Sequence, residues 1–215
     1  MFPYPPLLTK PKKELPMMQK HEVLVIAEIG ISHQGNMGLA KKLIQAAHNA
    51  SASVAKFQLY DVDTLFPTKQ IVVDGKNWYN EVKKTQLEKE QVGELKSYCG
   101  EIGIEFLASA FDIERLGWLE ELGVSRHKAG VRATKDKALL DAMCATGKEV
   151  FISLGRGMSI GYAPKDAKGN RLTNYKWLYC IPEYPTPLDH FNLRKVAFGY
   201  TFYGFRCHYP GIEPA

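Results

Sequence analysis

No run of apolar residues in this sequence approaches the roughly 20 needed by a membrane-spanning helix, so a chain threaded through a bilayer by helices is excluded. Cysteine is sparse and dispersed. Cys99, Cys144, Cys180 and Cys207 show no C-x-x-C spacing, so reduced, mostly buried thiols are expected, as in a cytoplasmic protein. A cluster of one charge sign is lacking too. The formal charge is +5, but lysines such as Lys83 and Lys84 lie among acids, near Glu81 and Glu88. A nucleic-acid footprint needs clustering, so no such partner is expected, and the surplus reads at most as a bias towards anionic substrates. The first twenty residues lack the continuous apolar region of a signal peptide. They hold Pro3, Pro5, Pro6, Pro11 and Pro16 with Lys10, Lys12 and Lys13, so residues 1–21 read as an extended arm.

What is present is one repeated unit. A chain of 215 residues can bury a sizeable single core, and residues 22–215 read as one domain. Val23-Leu24-Val25-Ile26 reads as a fully buried strand, because continuous β-branched runs belong to sheets covered on both faces. It leads to Glu28, Gly30, Ser32, His33, Gln34 and Gly35, polar residues at a strand's C-terminal end. Helical spacing follows over Leu39, Leu43, Ile44 and Ala47, then a second strand, Val54-Ala55-Lys56-Phe57-Gln58-Leu59. Residues 61–84 read as an irregular functional loop. Helices over 87–102, from Phe111 to Leu122 and over 138–145 end at Gly103, Gly123 and Gly147, with strands over 104–109, 124–129 and 149–153.

The regularity breaks over 156–176, where a loop or a small hairpin around Gly169-Asn170 is expected. Trp177-Leu178-Tyr179-Cys180 is a sixth strand, residues 193–196 at most a short helix, and residues 200–205 a seventh strand. The chain stops ten residues later, where an eighth unit would begin. Strand, helix and Gly stop in alternation specify an α/β fold with a parallel sheet, as an open doubly wound sheet or a barrel.

The strand ends collect Glu28, His33, Lys56, Gln58, Ser109, Lys128, Ser153, Tyr184 and His208. Two lysines and two hydroxyls converging on one mouth suit a phosphate; the other reading has Lys56 and Lys128 snorkelling from the rim. His208 could bind a divalent metal or serve as a hydrogen-bonded structural residue. Glu28 could be a general base or simply hold a strand end. Spacing alone leaves these alternatives open.

Ile26-Ala27-Glu28-Ile29-Gly30 with Ser32-His33-Gln34-Gly35 resembles the opening motif of the sialic acid synthase family. The likeness continues in order through Ala55-Lys56-Phe57-Gln58, Gly103-Ile104-Glu105-Phe106-Leu107, Thr146-Gly147-Lys148 and Tyr184-Pro185-Thr186-Pro187, to Gly211-Ile212-Glu213. The resemblance implies a (β/α)8 TIM-type barrel, incomplete at its C-terminus, and lacking the family's small antifreeze-like domain. It implies condensation of phosphoenolpyruvate with N-acetylmannosamine or a related hexosamine, with Mn²⁺ or Mg²⁺ polarising the open-chain aldehyde. C3 of phosphoenolpyruvate attacks that aldehyde, water adds at C2, and phosphate leaves after C–O cleavage.

By the same resemblance Lys56, Ser109, Lys128 and Ser153 would hold the phosphate. Gln58 and Tyr184 would contact the hexosamine, Glu28 would lie beside the reacting carbons, and His208 would be one metal ligand. The product would be a nonulosonic acid for surface carbohydrate. The chain departs from the family pattern at Ser32, at Ser109 (usually Thr), at Val131 in Lys128-Ala129-Gly130-Val131, at Ala133, and at Arg206-Cys207-His208 in place of Ser-Asp-His. The family's second metal His lies on an eighth strand. A barrel lacking that strand leaves two edges open, for a homodimer or complementing subunit to cover, for the arm to cover, or as the mark of a fragment. A non-catalytic partner of a full-length synthase and another phosphoenolpyruvate-using barrel aldolase are the alternative functions.

Overall fold

The computed structural model describes residues 23–73, 75–155, 162–193 and 202–208. The arm over 1–21, the start of the 156–176 loop, most of the short helix over 193–196, the first residues of the seventh strand and Gly211-Ile212-Glu213 lie outside them.

Chain order is β1 (Ile26–Gly30), α1 (Met37–Asn49), β2 (Val54–Leu59), α2 (Val62–Leu65), β3 (Val72–Val73), β4 (Lys76–Asn77), α3 (Trp78–Lys83) and α4 (Lys89–Ile102). Then come β5 (Glu105–Ala110), α5 (Ile113–Glu121), β6 (Arg126–Ala129), α6 (Lys137–Ala145), β7 (Glu149–Leu154), β8 (Tyr175–Cys180) and β9 (Phe202–Arg206). Apart from the β3–β4 hairpin, the strands form one parallel sheet in the order β1-β2-β5-β6-β7-β8-β9. Sequential order with helical crossovers is the winding of a (β/α)8 barrel, and this sheet makes seven of its strands.

The helices start and stop where local chemistry provides. Asn36, Asp112 and Asp136 side chains accept from the third residue on, Glu88 and Gln91 form a capping box, and Gly103, Gly123 and Gly147 end their turns at positive φ. Alternation along each strand then separates two cores. Ala55, Phe57, Phe106, Ala108 and Ile152 join helix residues such as Ile44, Leu95 and Leu119 in the outer layer. Val54, Leu107, Phe151 and Leu178, with Ile26 against them, form a second cluster on the concave face, the floor of the barrel.

Two expectations are corrected. Residues 23–26 are not a buried strand: Val23 is 81% exposed, Leu24 and Val25 are exposed as well, and the strand begins at Ile26. β1 is an edge, pairing with β2 alone among the described residues, so a run that reads as doubly covered is covered on neither side at its start. Residues 61–84 are not irregular. They hold α2, the hairpin and α3, with Tyr60, Val62, Tyr79 and Val82 in a small core of their own. Helices of four and six residues are too short for periodicity to reveal. The expected small hairpin is present, as an antiparallel bridge between Lys165 and Arg171 whose turn is held by Asp166.

The turn after β1 is locked to the end of α3. Gly35 adopts φ +75°, and a Cβ there would overlap the carbonyl oxygen of Lys84. Gly35→Ala therefore combines left-handed strain with a backbone clash and should cost at least ~1–3 kcal/mol. A urea midpoint unchanged from the wild type would contradict this close approach.

Candidate functional site

Side chains two residues beyond the floor point the same way, because the strand repeat is two. Ile26 is followed by Glu28, Val54 by Lys56, Leu107 by Ser109, Phe151 by Ser153 and Leu178 by Cys180. The same step takes Arg126 to Lys128 and Gly204 to Arg206. A polar layer thus sits at the C-terminal mouth on an apolar floor.

Strand register brings the layer together. Glu28 pairs with Lys56, Gln58 with Ser109, and Ser109 with Lys128. Lys56 Nζ donates to both carboxylate oxygens of Glu28, at 2.9 and 2.7 Å. Lys128 Nζ donates to Ser153 Oγ at 2.6 Å and to the Ala129 carbonyl at 2.8 Å, and no carboxylate bonds to it among the described residues. Lys56 and Lys128 are 3% and 2% exposed, with Ser109 and Ser153 equally buried. These are not rim lysines reaching for water. Arg206, on the last strand, reaches Glu28 Oε2 at 3.3 Å on the first, across the open side of the sheet.

The charges follow. Burial pulls the Lys128 ammonium well below its ordinary pKa, and the cations Lys56 and Arg206 lower it further. Lys56 is also lowered, by burial first, against the opposing pull of Glu28. Burial pushes the Glu28 carboxyl up, but Lys56, Arg206 and Lys128 together outweigh it and hold the carboxyl below the usual range. The pocket is therefore an ionised carboxylate among cations that outnumber it, an arrangement that attracts anions.

At the rim, Tyr184 is 73% exposed and stacks on the His208 ring, with 3.5 Å between centroids. Thr186 holds His208 by its backbone, its N–H donating to the His208 carbonyl and its Oγ accepting from the His208 N–H. Both ring nitrogens of His208 are buried without a hydrogen-bond partner, and burial beside Arg206 lowers the imidazole to about 4. A neutral imidazole with open nitrogens suits a metal ligand. The rest of a metal site does not follow. Among the described residues no three His, Cys, Asp or Glu side chains group to hold an ion, and Glu28 is taken by Lys56 and Arg206. The residues described do not fit a protein-built divalent site.

Of the residues collected from strand ends, Glu28, Lys56, Gln58, Ser109, Lys128 and Ser153 share the mouth, while Tyr184 and His208 stand together at its edge beside Arg206. His33 goes elsewhere. It is fully buried, packs on Phe57, which faces away from Lys56 on β2, and accepts the Gly35 N–H at Nδ1. Arg206 stands out in the sequence only as a departure from a motif; extending the two-residue step from Gly204 is the signal that places it in the polar layer.

The fold has counterparts. The chain is 31% identical over 186 residues to N-acetylneuraminate-9-phosphate synthase of Mus musculus, covering 83% of this chain and 52% of that one. It is 27% identical over 188 residues to N,N'-diacetyllegionaminic acid synthase of Campylobacter jejuni, covering 81% and 56%. It therefore spans about half the length of the curated relatives it matches. A crystal structure of N-acetylneuraminic acid (sialic acid) synthetase from Leptospira borgpetersenii, in complex with citrate, aligns with a TM-score of 0.75 at 28% identity, over 89% of this chain and 67% of that one. The NeuB family model matches residues 43–213, a stretch holding both buried lysines, both serines and Arg206, and on that match the chain belongs to the NeuB family.

Proposed function

We propose that this chain carries the site of a nonulosonic acid synthase, joining phosphoenolpyruvate to N-acetylmannosamine or a related N-acetylated hexosamine with release of phosphate. The observation that carries the reading is Lys128, buried with only a hydroxyl and a carbonyl as hydrogen-bond partners among the described residues. An ammonium kept from water without a counter-ion costs several kcal/mol, and a phosphate supplies the missing charge. Lys56 lies on the neighbouring side, and Ser109 and Ser153 add hydroxyl donors from the flanking strands.

In this reading the phosphate seats on Lys128, Lys56 and the two serines, and the three-carbon skeleton lies towards Glu28. Glu28, ionised at neutral pH, accepts the proton of the water that adds at C2 as C3 bonds to the sugar aldehyde and passes it to the new alkoxide oxygen. The C2 hydroxyl then gives its proton to the phosphate, which departs by C–O cleavage and leaves the C2 ketone. Gln58 and the exposed Tyr184 ring meet the hexosamine. His208 would be one ligand to a divalent ion able to polarise the aldehyde. The described residues do not complete that site, and no step here is routed through it. A cytoplasmic location and a role in surface carbohydrate belong to the same proposal.

Mixing the protein with phosphoenolpyruvate, N-acetylmannosamine and Mn²⁺ should release inorganic phosphate only when both carbon substrates are present. No turnover with any N-acetylated hexosamine at high protein concentration would defeat the catalytic reading. Calorimetry showing no phosphoenolpyruvate binding would remove the site as well.

A further inference from the structure

Three cations surround one carboxylate at the mouth, and they are not equally employed. Lys56 meets both oxygens of Glu28 and already neutralises it. Arg206 adds a single longer contact, Nη2 to Oε2 at 3.3 Å. A guanidinium is a planar fork whose parallel N–H groups match a carboxylate two at a time. Here it meets Glu28 once, with the neutral Tyr184 hydroxyl and Cys180 thiol beside it, so the paired carboxylate geometry goes unused. Its Nε is buried and donates to nothing among the described residues. A buried donor without an acceptor is an unmet requirement that a ligand can fill.

Place and neighbours agree. Arg206 ends β9, paired with Cys180, and projects towards Glu28 on the far edge of the sheet, with Tyr184 beside it. It thus stands across the mouth from the Lys128–Ser153 pair on β6 and β7. With all four groups ionised, Lys56, Lys128 and Arg206 against Glu28 leave a surplus of two positive charges. One phosphate group on the lysines would leave the Arg206 fork still facing the mouth.

We propose that Arg206 grips a carboxylate, so that the pocket selects small anions carrying a phosphate and a carboxylate on one short skeleton over simple phosphate. The inference rests on the proposed reading of Lys56 and Lys128 as phosphate holders and adds the second anchor. Glu28 keeps Lys56 as its partner when Arg206 turns to the ligand. The guanidinium is a binding and specificity residue here, replacing the hydroxyl implied at this position by the resemblance.

Calorimetry on the full chain tests this with two probes, phosphoenolpyruvate and inorganic phosphate, on the wild type, Arg206→Ser and Arg206→Lys. The wild type should prefer phosphoenolpyruvate by about tenfold or more, the effect of a charge-assisted pair. Arg206→Ser should lose about tenfold to a hundredfold for phosphoenolpyruvate and change phosphate binding by no more than about threefold, while Arg206→Lys, a point charge without the fork, recovers part of the loss. Equal weakening of both probes, or a wild type without preference, would overturn the assignment of Arg206 alone. A wild type that binds neither probe would overturn it together with the anion site beneath it. If Arg206→Ser does not fold, the wild-type preference and the Arg206→Lys ratio decide by the same criterion.

Discussion

Glu28→Gln should weaken the fold and stop turnover together. Removing the carboxylate leaves Lys56, almost wholly buried, with no counter-ion among the described residues and releases the Arg206 contact. Breaking a buried pair from one side costs about 3–5 kcal/mol, and the lower end applies because Glu28 retains 30% side-chain exposure. Phosphate release should fall by about 10²–10⁴, the usual contribution of a general base. The pH dependence has a definite sign. Glu28 has a folded pKa below its ordinary 4.5, so its stabilisation is present above that value and is lost as pH falls through the lowered one. The Gln variant should lack that acid limb in urea titrations, and added inorganic phosphate should raise its urea midpoint more than the wild type's, because an anion replaces the lost charge. A Gln variant as stable as the wild type would show that Lys56 does not depend on Glu28.

Lys128→Met should do the reverse to stability while destroying the anion site. Lys128 is 2% exposed with no bonded carboxylate among the described residues, so a side chain of similar length without the charge removes a desolvation penalty. Replacement of buried charge by well-packed apolar groups stabilises by about 1–4 kcal/mol. Part of this is offset because Ser153, fully buried, loses its bond to Lys128. Phosphate binding should drop by about a hundredfold or more, since a charge-assisted contact is lost with the charge that attracts the ligand. The wild type carries a matching pH signature. The folded pKa of Lys128 lies well below its ordinary 10.5, so between the two values the unfolded chain binds more protons and stability rises with pH. The Met variant should be flatter over that range. A destabilised Met variant that still binds phosphate would contradict the view of Lys128 as an uncompensated cation.

Sequence order alone carries much of this protein. The strand–helix alternation, the Gly stops at 103, 123 and 147 and the polar residues at strand ends are local features, set by strand period, capping and turn geometry within a few residues. The buried anion layer is legible for the same reason. Lys56, Ser109 and Ser153 each lie two residues beyond a floor residue on their own strand, so side-chain direction follows from neighbours in the chain. His33 shows where that reasoning stops: a strand-end position does not tell which face of β2 the following turn packs against.

Only the tertiary structure decides what depends on neighbours in space. Val23, Leu24 and Val25 have the composition of a doubly covered strand, yet β1 is an edge among the described residues, and burial is a property of what lies alongside. The identity of Glu28's partners is decided the same way. Lys56 is adjacent through strand register, but Arg206 meets Glu28 because the sheet curls until its first and last strands face each other. No local period encodes that curl. It arises from twist accumulated over seven strands and from the shared apolar floor, and it turns separate strand ends into one charged pocket.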